Sequence, residues 1–170
     1  PGCPDLTAPR ARIRIFGEPY AGRALVLPLF QAFAATQGYV YLATSGPTPG
    51  ITLRDPDTDQ VLADVSFAPL DAAQSLDLLA SDEADLVVSF EADPDFRTRV
   101  LALDALVPIA APDNPTPRLS TADLARALTG QISNWDQAGG PDMPIVLHAV
   151  GPNSGLGKLI EGRLGQAVVA

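Results

Sequence analysis

Cysteine, histidine, lysine, methionine and tryptophan occur once each in this chain. With one cysteine and one histidine, no metal-ligand cluster exists by spacing, and no internal disulfide can form. Cys3 either pairs with a cysteine outside these residues or stays a free thiol, and the sequence leaves both open. Lysine is nearly absent (Lys158 only) while arginine is common, which fits a biased genome composition better than a function. No apolar run is long enough to cross a bilayer, and no signal-peptide pattern stands in these residues, so composition assigns no compartment. Basic charge is scarce too. A net charge of −9 and a pI near 4.3 argue against nucleic-acid or anionic-membrane partners, which require clustered Lys and Arg. The acid excess between Asp55 and Asp113 reads as a solubilising surface.

What is present is an alternation of strand and helix patterns over 170 residues, 46% of them apolar. That length suits one ordinary domain or two small lobes. Arg12–Phe16 alternates as a strand, and Gly17–Gly22 is a loop. Arg23–Thr36 carries Leu25, Leu29 and Phe33, then Phe30 and Ala34, at helical spacing. Gly38 closes that helix; Pro28 either kinks it or sits in an early turn. Tyr39–Ala43 is a second strand, so the first forty-odd residues predict a βαβ unit with parallel strands. Ile51–Leu53 and Val61–Phe67 predict a hairpin. Its tip holds Asp55, Asp57 and Asp59 at the spacing of a calcium loop, but Gln60 and Ser66 stand where the turn glycine and the bidentate glutamate belong. An acidic hairpin tip is the better reading.

Leu70–Ala80 is an amphipathic helix, Asp85–Phe90 a buried strand, and Val100–Ala110 a longer apolar run interrupted by Asp104. Pro112–Arg118 is the best internal boundary. Ser120 opens a helix as N-cap, with Asp123 as a capping-box-like acid, running to about Leu128. Gly130–Trp135 is a tight connector in which Trp135 reads as a packing anchor. Pro144–Ala149 then predicts a buried strand, Gly151–Gly155 a turn, and Leu156–Leu164 a helix with Leu156, Leu159, Ile160 and Leu164 on one face. A strand, a Gly/Ser turn and a helix start form an anion cradle, because free N–H groups and the positive helix end point into the turn. The fold class is α/β, and ligands in such folds bind at the carboxyl ends of strands. The loops at that edge are Gly17–Gly22, Ser66–Pro69, Ser89–Asp93 and Val150–Leu156.

Leu101–Arg118, Leu119–Gly140 and Pro141–Gly155, read in order as helix, TG-I-NW, GGPD, strand and NSG, resemble the phosphate-transport substrate-binding proteins of bacterial ABC importers. The nearer resemblance is to versions fused to outer-membrane-protein-A-like domains in alphaproteobacteria, which PGCPDLT at the start also fits. The likeness is strong from Leu101 to Gly155 and weak from Thr44 to Phe67. It implies a type II periplasmic-binding-protein-like fold of two lobes built from βαβ units. Residues 1–110 would supply the first part of lobe 1 and a hinge strand, and residues 111–170 part of lobe 2. The second lobe would then be incomplete, and its exposed apolar surface would be covered by homodimerisation or chain exchange. The resemblance further implies a periplasmic or cell-envelope location, no cofactor, and a small anion or other small solute in the cleft. A membrane transporter or an envelope protein would be the macromolecular partner.

The resemblance also names the site: Gly17, Glu18 and Tyr20 from the first loop, Ser89 and Glu91 from the third, and Asn153, Ser154 and Gly155 from the last. In the family the first loop offers a glycine followed by hydroxyls; here Glu18 follows Gly17. The third usually ends Ser-Ser-Arg; here Ser89-Phe90-Glu91 puts an acid in the cation's place. The last usually reads Arg-Asp-x-x-Ser-Gly-Thr; Val150, Gly151 and Leu156 have replaced its Arg, Asp and Thr. Each lost charge-assisted donor removes roughly 1.5–3 kcal/mol. Each added like charge at about 6 Å costs roughly 3 kcal/mol at an effective dielectric near 20. Together these would erase micromolar phosphate affinity, which is about −8 kcal/mol in all. Glu18, Tyr20, Phe90 and Glu91 then either line a pocket for a cationic or amphiphilic ligand, or, as the plainer expectation, Tyr20 and Phe90 are core and both glutamates are solvated. Ser154 and His148 invite a nucleophile reading, but the turn is not G-x-S-x-G and no third group orients the histidine. The expectation is a non-enzymatic solute-binding-like domain with a degraded anion site. The alternative is an envelope interaction or structural module that keeps the fold.

Overall fold

A computed structural model describes residues 9–44, 46, 48–103, 105–112, 114, 116, 118–152 and 154–169. Cys3, Asp104, Asn153 and the opening PGCPDLT lie outside them. The chain divides into two compact units, Pro1–Phe90 and Glu91–Ala170.

The first unit is a five-stranded mixed sheet. Strand β1 (Ala11–Gly17) is followed by a helical stretch in three pieces: α1 (Pro19–Ala21), a π-helical turn (Gly22–Val26) and α2 (Leu27–Gln37). Then come β2 (Val40–Thr44), β3 (Gly50–Arg54), β4 (Val61–Pro69), α3 (Ala72–Ala80) and β5 (Leu86–Val88). The strand order is β2-β3-β4-β1-β5. β1 is parallel to β4 from Ala11↔Ala63 to Gly17↔Pro69, and parallel to β5 at Ile15↔Leu86 through Gly17↔Val88. The β2–β3 and β3–β4 pairs are antiparallel.

The expected βαβ unit is therefore present in direction but not in adjacency. β1 and β2 run the same way, yet β4 and β3 lie between them, because the β3–β4 hairpin is inserted at the edge of β1. The helix starts at Pro19, earlier than the apolar spacing alone suggests. Proline is favoured in a first helical turn, where its missing N–H is no loss. Pro28 falls in the first turn of α2, the second of the two alternatives. The turn before it is widened, with the Leu27 N–H donating to the carbonyl of Gly22, five residues back; a π turn gives the proline ring room that a regular turn denies it. Gly38, at φ +74°, ends α2 as expected.

Alternation along the strands builds the core. Ile15, Ile51, Leu53, Val65 and Phe67 face Val26 and Ala34 of the helical stretch, with Phe30, Tyr39 and Tyr41 packed around them. Each such side chain contributes roughly 1.5–3 kcal/mol by leaving water. The π turn comes so close to the sheet that a Cβ on Gly22 would sit 2.3 Å from the Phe67 ring. The β1-to-β2 and β4-to-β5 crossovers run in opposite directions across the sheet, so the right-handed rule puts α2 and α3 on opposite faces. On the face away from α2, Arg12, Arg14, Thr44, Thr52, Asp64, Ser66 and Asp85 are among the residues that line a groove of about 610 Å³.

At the hairpin tip, Asp55 Oδ1 accepts from the N–H groups of Asp57 and Thr58 and from the Thr58 hydroxyl. Arg54 pairs with Asp59 at 3.2 Å. The carboxylates here tie the turn. β5 is shorter than the buried strand expected over Asp85–Phe90, and Leu86 is half exposed. It is an edge strand, paired on one side, and an ion pair fixes it: Arg14 Nη2 lies 3.0 Å from Asp85 Oδ1 and also donates to the carbonyl of Asp82.

In the second unit, α4 (Thr121–Leu128) begins as expected. The Asp123 N–H donates to Ser120 Oγ, the Ser120 hydroxyl donates to Asp123 Oδ2, and Arg126 pairs with Asp123. A 3₁₀ turn (Trp135–Ala138) and α5 (Gly155–Leu164) follow. Asn134 organises the connector. Its Oδ1 accepts from the N–H groups of Asp136 and Met143, its Nδ2 donates to Asp142, and Gln137 closes a capping box. The buried strand expected over Pro144–Ala149 is reduced to one bridge, Asn134↔Pro144, and Val146 is 72% exposed. Among the described residues, the apolar run Val100–Ala110 forms no strand either. Both stretches have strand composition, but composition makes a strand only where a neighbouring strand supplies the ladder.

Hydrogen bonding to Arg14 holds the Asp85 carboxyl at about 2. A carboxylate whose pKa is depressed by folding adds stability above its unfolded pKa, near 3.8, and that stability is lost as pH falls towards about 2. The urea midpoint of the wild type is expected to fall more steeply across that window than that of Asp85→Asn, which starts lower at neutral pH. Parallel pH profiles would contradict this.

Candidate functional site

At the carboxyl end of β1, Gly17 has φ +146°, and a Cβ there would lie 2.0 Å from the Val88 carbonyl oxygen. Only glycine fits. Its own carbonyl accepts from the Leu70 N–H at 2.9 Å, and the next N–H, of Glu18, donates to the Val88 carbonyl at 3.2 Å. These two bonds tie the ends of β1, β4 and β5 together, so the first and third candidate loops meet: Gly17 and Glu18 adjoin Val88 and Ser89.

Glu18 is the unexpected member. It is 6% exposed, where the plainer expectation has it solvated. It sits at the N-cap of α1 without capping it, and its Oε1 is buried with no hydrogen-bond partner. Tyr20, expected in the core, is 68% exposed, and Phe90 is also exposed. Both reversals follow from the early helix start at Pro19. Glu18 is extended (φ −55°, ψ 131°) where the chain turns from strand into helix, and Tyr20 falls on the first turn's outer side. Residue type alone predicts the opposite burial for a glutamate and a tyrosine.

In the second unit Glu91 is exposed, and Asn153 is outside the described residues. Ser154 is the N-cap of α5. Its Oγ accepts the Gly157 N–H at 3.0 Å and donates to the Gly151 carbonyl at 2.7 Å. Gly157 is required by the same turn, since a Cβ there would meet the Gly151 oxygen at 2.3 Å. The hydroxyl is therefore committed to the turn. What the cradle has to offer an anion is the N–H groups of Gly155 and Leu156, which have no partner within the helix. His148 is exposed, and both hydrogen bonds of Ser154 Oγ go to the main chain. Beside the turn, Leu128, Ala149, Val150, Pro152, Gly157, Ile160, Glu161 and Val168 enclose about 120 Å³; there the Val168 N–H donates to Glu161. Among the described residues no group of three or more His, Cys, Asp or Glu is placed to hold a metal ion.

Sequence reasoning passed over Asn134. Its signal was nonetheless there: Asn134 and Gln137 stand at capping-box spacing. The burial of Glu18 had no sequence signal.

A family model for the PBP superfamily domain matches residues 26–168. The chain belongs to the PBP superfamily. The mixed sheet with helices on it is the α/β fold expected of this superfamily. The matched span takes in Ser89, Glu91, Ser154 and Gly155, and begins after Gly17, Glu18 and Tyr20. Among curated proteins, the phosphate-binding protein PstS of Borreliella burgdorferi is 41% identical over 49 residues. That stretch is 29% of this chain and 18% of PstS, so the matched part is under a fifth of that relative's length. No solved structure matches this PBP-superfamily domain significantly.

Gly17→Ala is expected to destabilise the first unit by about 2–3 kcal/mol or more, because both the positive φ and the Val88 contact forbid a side chain. Ser154→Ala should cost about 1 kcal/mol, the usual value of an N-cap. Urea unfolding of both variants checks the ranking; equal midpoints would refute it.

Proposed function

We propose that this PBP-superfamily domain is a non-enzymatic solute-binding domain of the bacterial cell envelope, related to phosphate-transport binding proteins but no longer selective for phosphate. The observation that carries this reading is Glu18, a buried carboxylate where the family resemblance calls for hydroxyl donors. At that loop an anion meets carboxyl oxygens in place of hydroxyl donors. At the last loop Ser154 and Gly155 keep a main-chain cradle with no cationic side chain, and Glu91 stands in the cation's place on the third. In this reading residues 1–110 form lobe 1 with its hinge segment and residues 111–170 part of lobe 2. A periplasmic location, a transporter partner and fusion to an outer-membrane-protein-A-like domain belong to the same proposal; their support is the resemblance of the sequence.

A second reading is favoured by the run Val100–Ile109. Leu103 is 93% and Ile109 95% exposed, and Val100, Leu101, Leu106 and Val107 are exposed as well. Exposed apolar side chains in such a run suit association with another chain. In this reading the domain is an envelope interaction module, and a second copy, an exchanged chain or an envelope protein covers the segment.

Titration calorimetry is expected to show no micromolar binding of inorganic phosphate or sulfate. Micromolar phosphate binding that is lost in Ser154→Asp would overturn the proposed loss of selectivity. Light scattering should show dimers at high protein concentration if the second reading holds; a clean monomer would count against it.

A further inference from the structure

We infer that Glu18 makes the first loop a receptor for a cationic, hydrogen-bond-donating group, an ammonium or guanidinium, in place of an oxyanion. The inference rests on the solute-binding reading above and names its ligand class. Glu18 is more than nine-tenths buried, and Oε1 is sealed from solvent without a partner. The carboxyl group therefore holds one buried oxygen with no partner.

The neighbouring donors are committed elsewhere. The Glu18 N–H is held by the Val88 carbonyl, the Leu70 N–H by Gly17, and the Ala21 N–H by the carbonyl of Glu18 itself. No side-chain cap forms at the helix start. The cations of this unit that form ion pairs are engaged away from the loop, Arg14 with Asp85 and Arg54 with Asp59. Burying an unpaired carboxylate is costly, and a donor from outside relieves that cost. An ammonium brings three donors and a charge; a guanidinium brings a planar fork that matches a carboxylate. Two exposed aromatic faces stand on the joined loops, Tyr20 after Glu18 and Phe90 after Ser89, and aromatic faces attract such cations. A net charge of −9 draws cations towards the whole molecule.

The test is calorimetry on the full chain with putrescine, arginine and ethanolamine as chloride salts, and with sodium phosphate in the same buffer. At least one amine should bind saturably, at least tenfold more weakly in Glu18→Gln and unchanged in Asp57→Asn at the distant hairpin tip. If Glu18→Gln does not fold, Glu18→Asp, which keeps the charge but withdraws it by one methylene, should weaken the same amine at least threefold. Phosphate binding without amine binding would overturn this inference together with the proposed loss of phosphate selectivity, and leave a solute-binding domain. No binding of either would overturn both. Amine affinity indifferent to the residue at position 18 would place the amine on surface acids and overturn the inference alone.

Discussion

The first unit depends on β1 having a hydrogen-bonded strand on each side. β4 forms a seven-residue parallel ladder along one edge, and β5 covers the last three residues of the other. Every residue of β1 near its carboxyl end is thereby fixed twice, and the approach is close enough that position 17 has room only for hydrogen. The Arg14–Asp85 pair adds a side-chain tie at the start of β5, where the ladder is shortest. Because β1 is so constrained, the residue that follows it is placed by the backbone, whatever its own solubility. That is how a glutamate comes to be buried beside three strand ends.

Helix ends that carry a capping residue or a closing glycine were legible in the sequence because those signals are local. Ser120 with Asp123, Gly38 after a periodic apolar run, and the Ser154 turn each act within one or two helical turns, and each is found where the pattern puts it. The β3–β4 hairpin was legible for the same reason. Strand pairing was not. The choice of β4 rather than β2 as the neighbour of β1 is a long-range decision, and the apolar alternation of both strands is compatible with either. Val100–Ala110 and Pro144–Ala149 show the limit from the other side: their composition suits a strand, and neither finds a full ladder.

The site divides in the same way. Ser154 and Gly155 could be read as a cradle because a turn and a helix start make one by themselves. The convergence of Gly17 with Ser89 could be expected from the general rule that ligands bind at the carboxyl ends of strands. The environment of Glu18 could not, because burial at that point is set by Pro19 opening the helix and by Val88 closing on Gly17, two features distant in sequence. The family resemblance singled out the first loop, and the structure changes its Glu18 from a solvated acid to an enclosed one.

The Asn134 turn has a kinetic consequence. All its bonds, to Asp136, Gln137, Asp142 and Met143, close loops of fewer than ten residues, so little chain entropy is lost in making them. Such a turn can form on the timescale of local loop closure, well before any sheet is assembled. It gives the second unit an early ordered point around which Trp135, Gly140 and the Pro144 bridge gather, independent of the slow pairing on which the first unit relies.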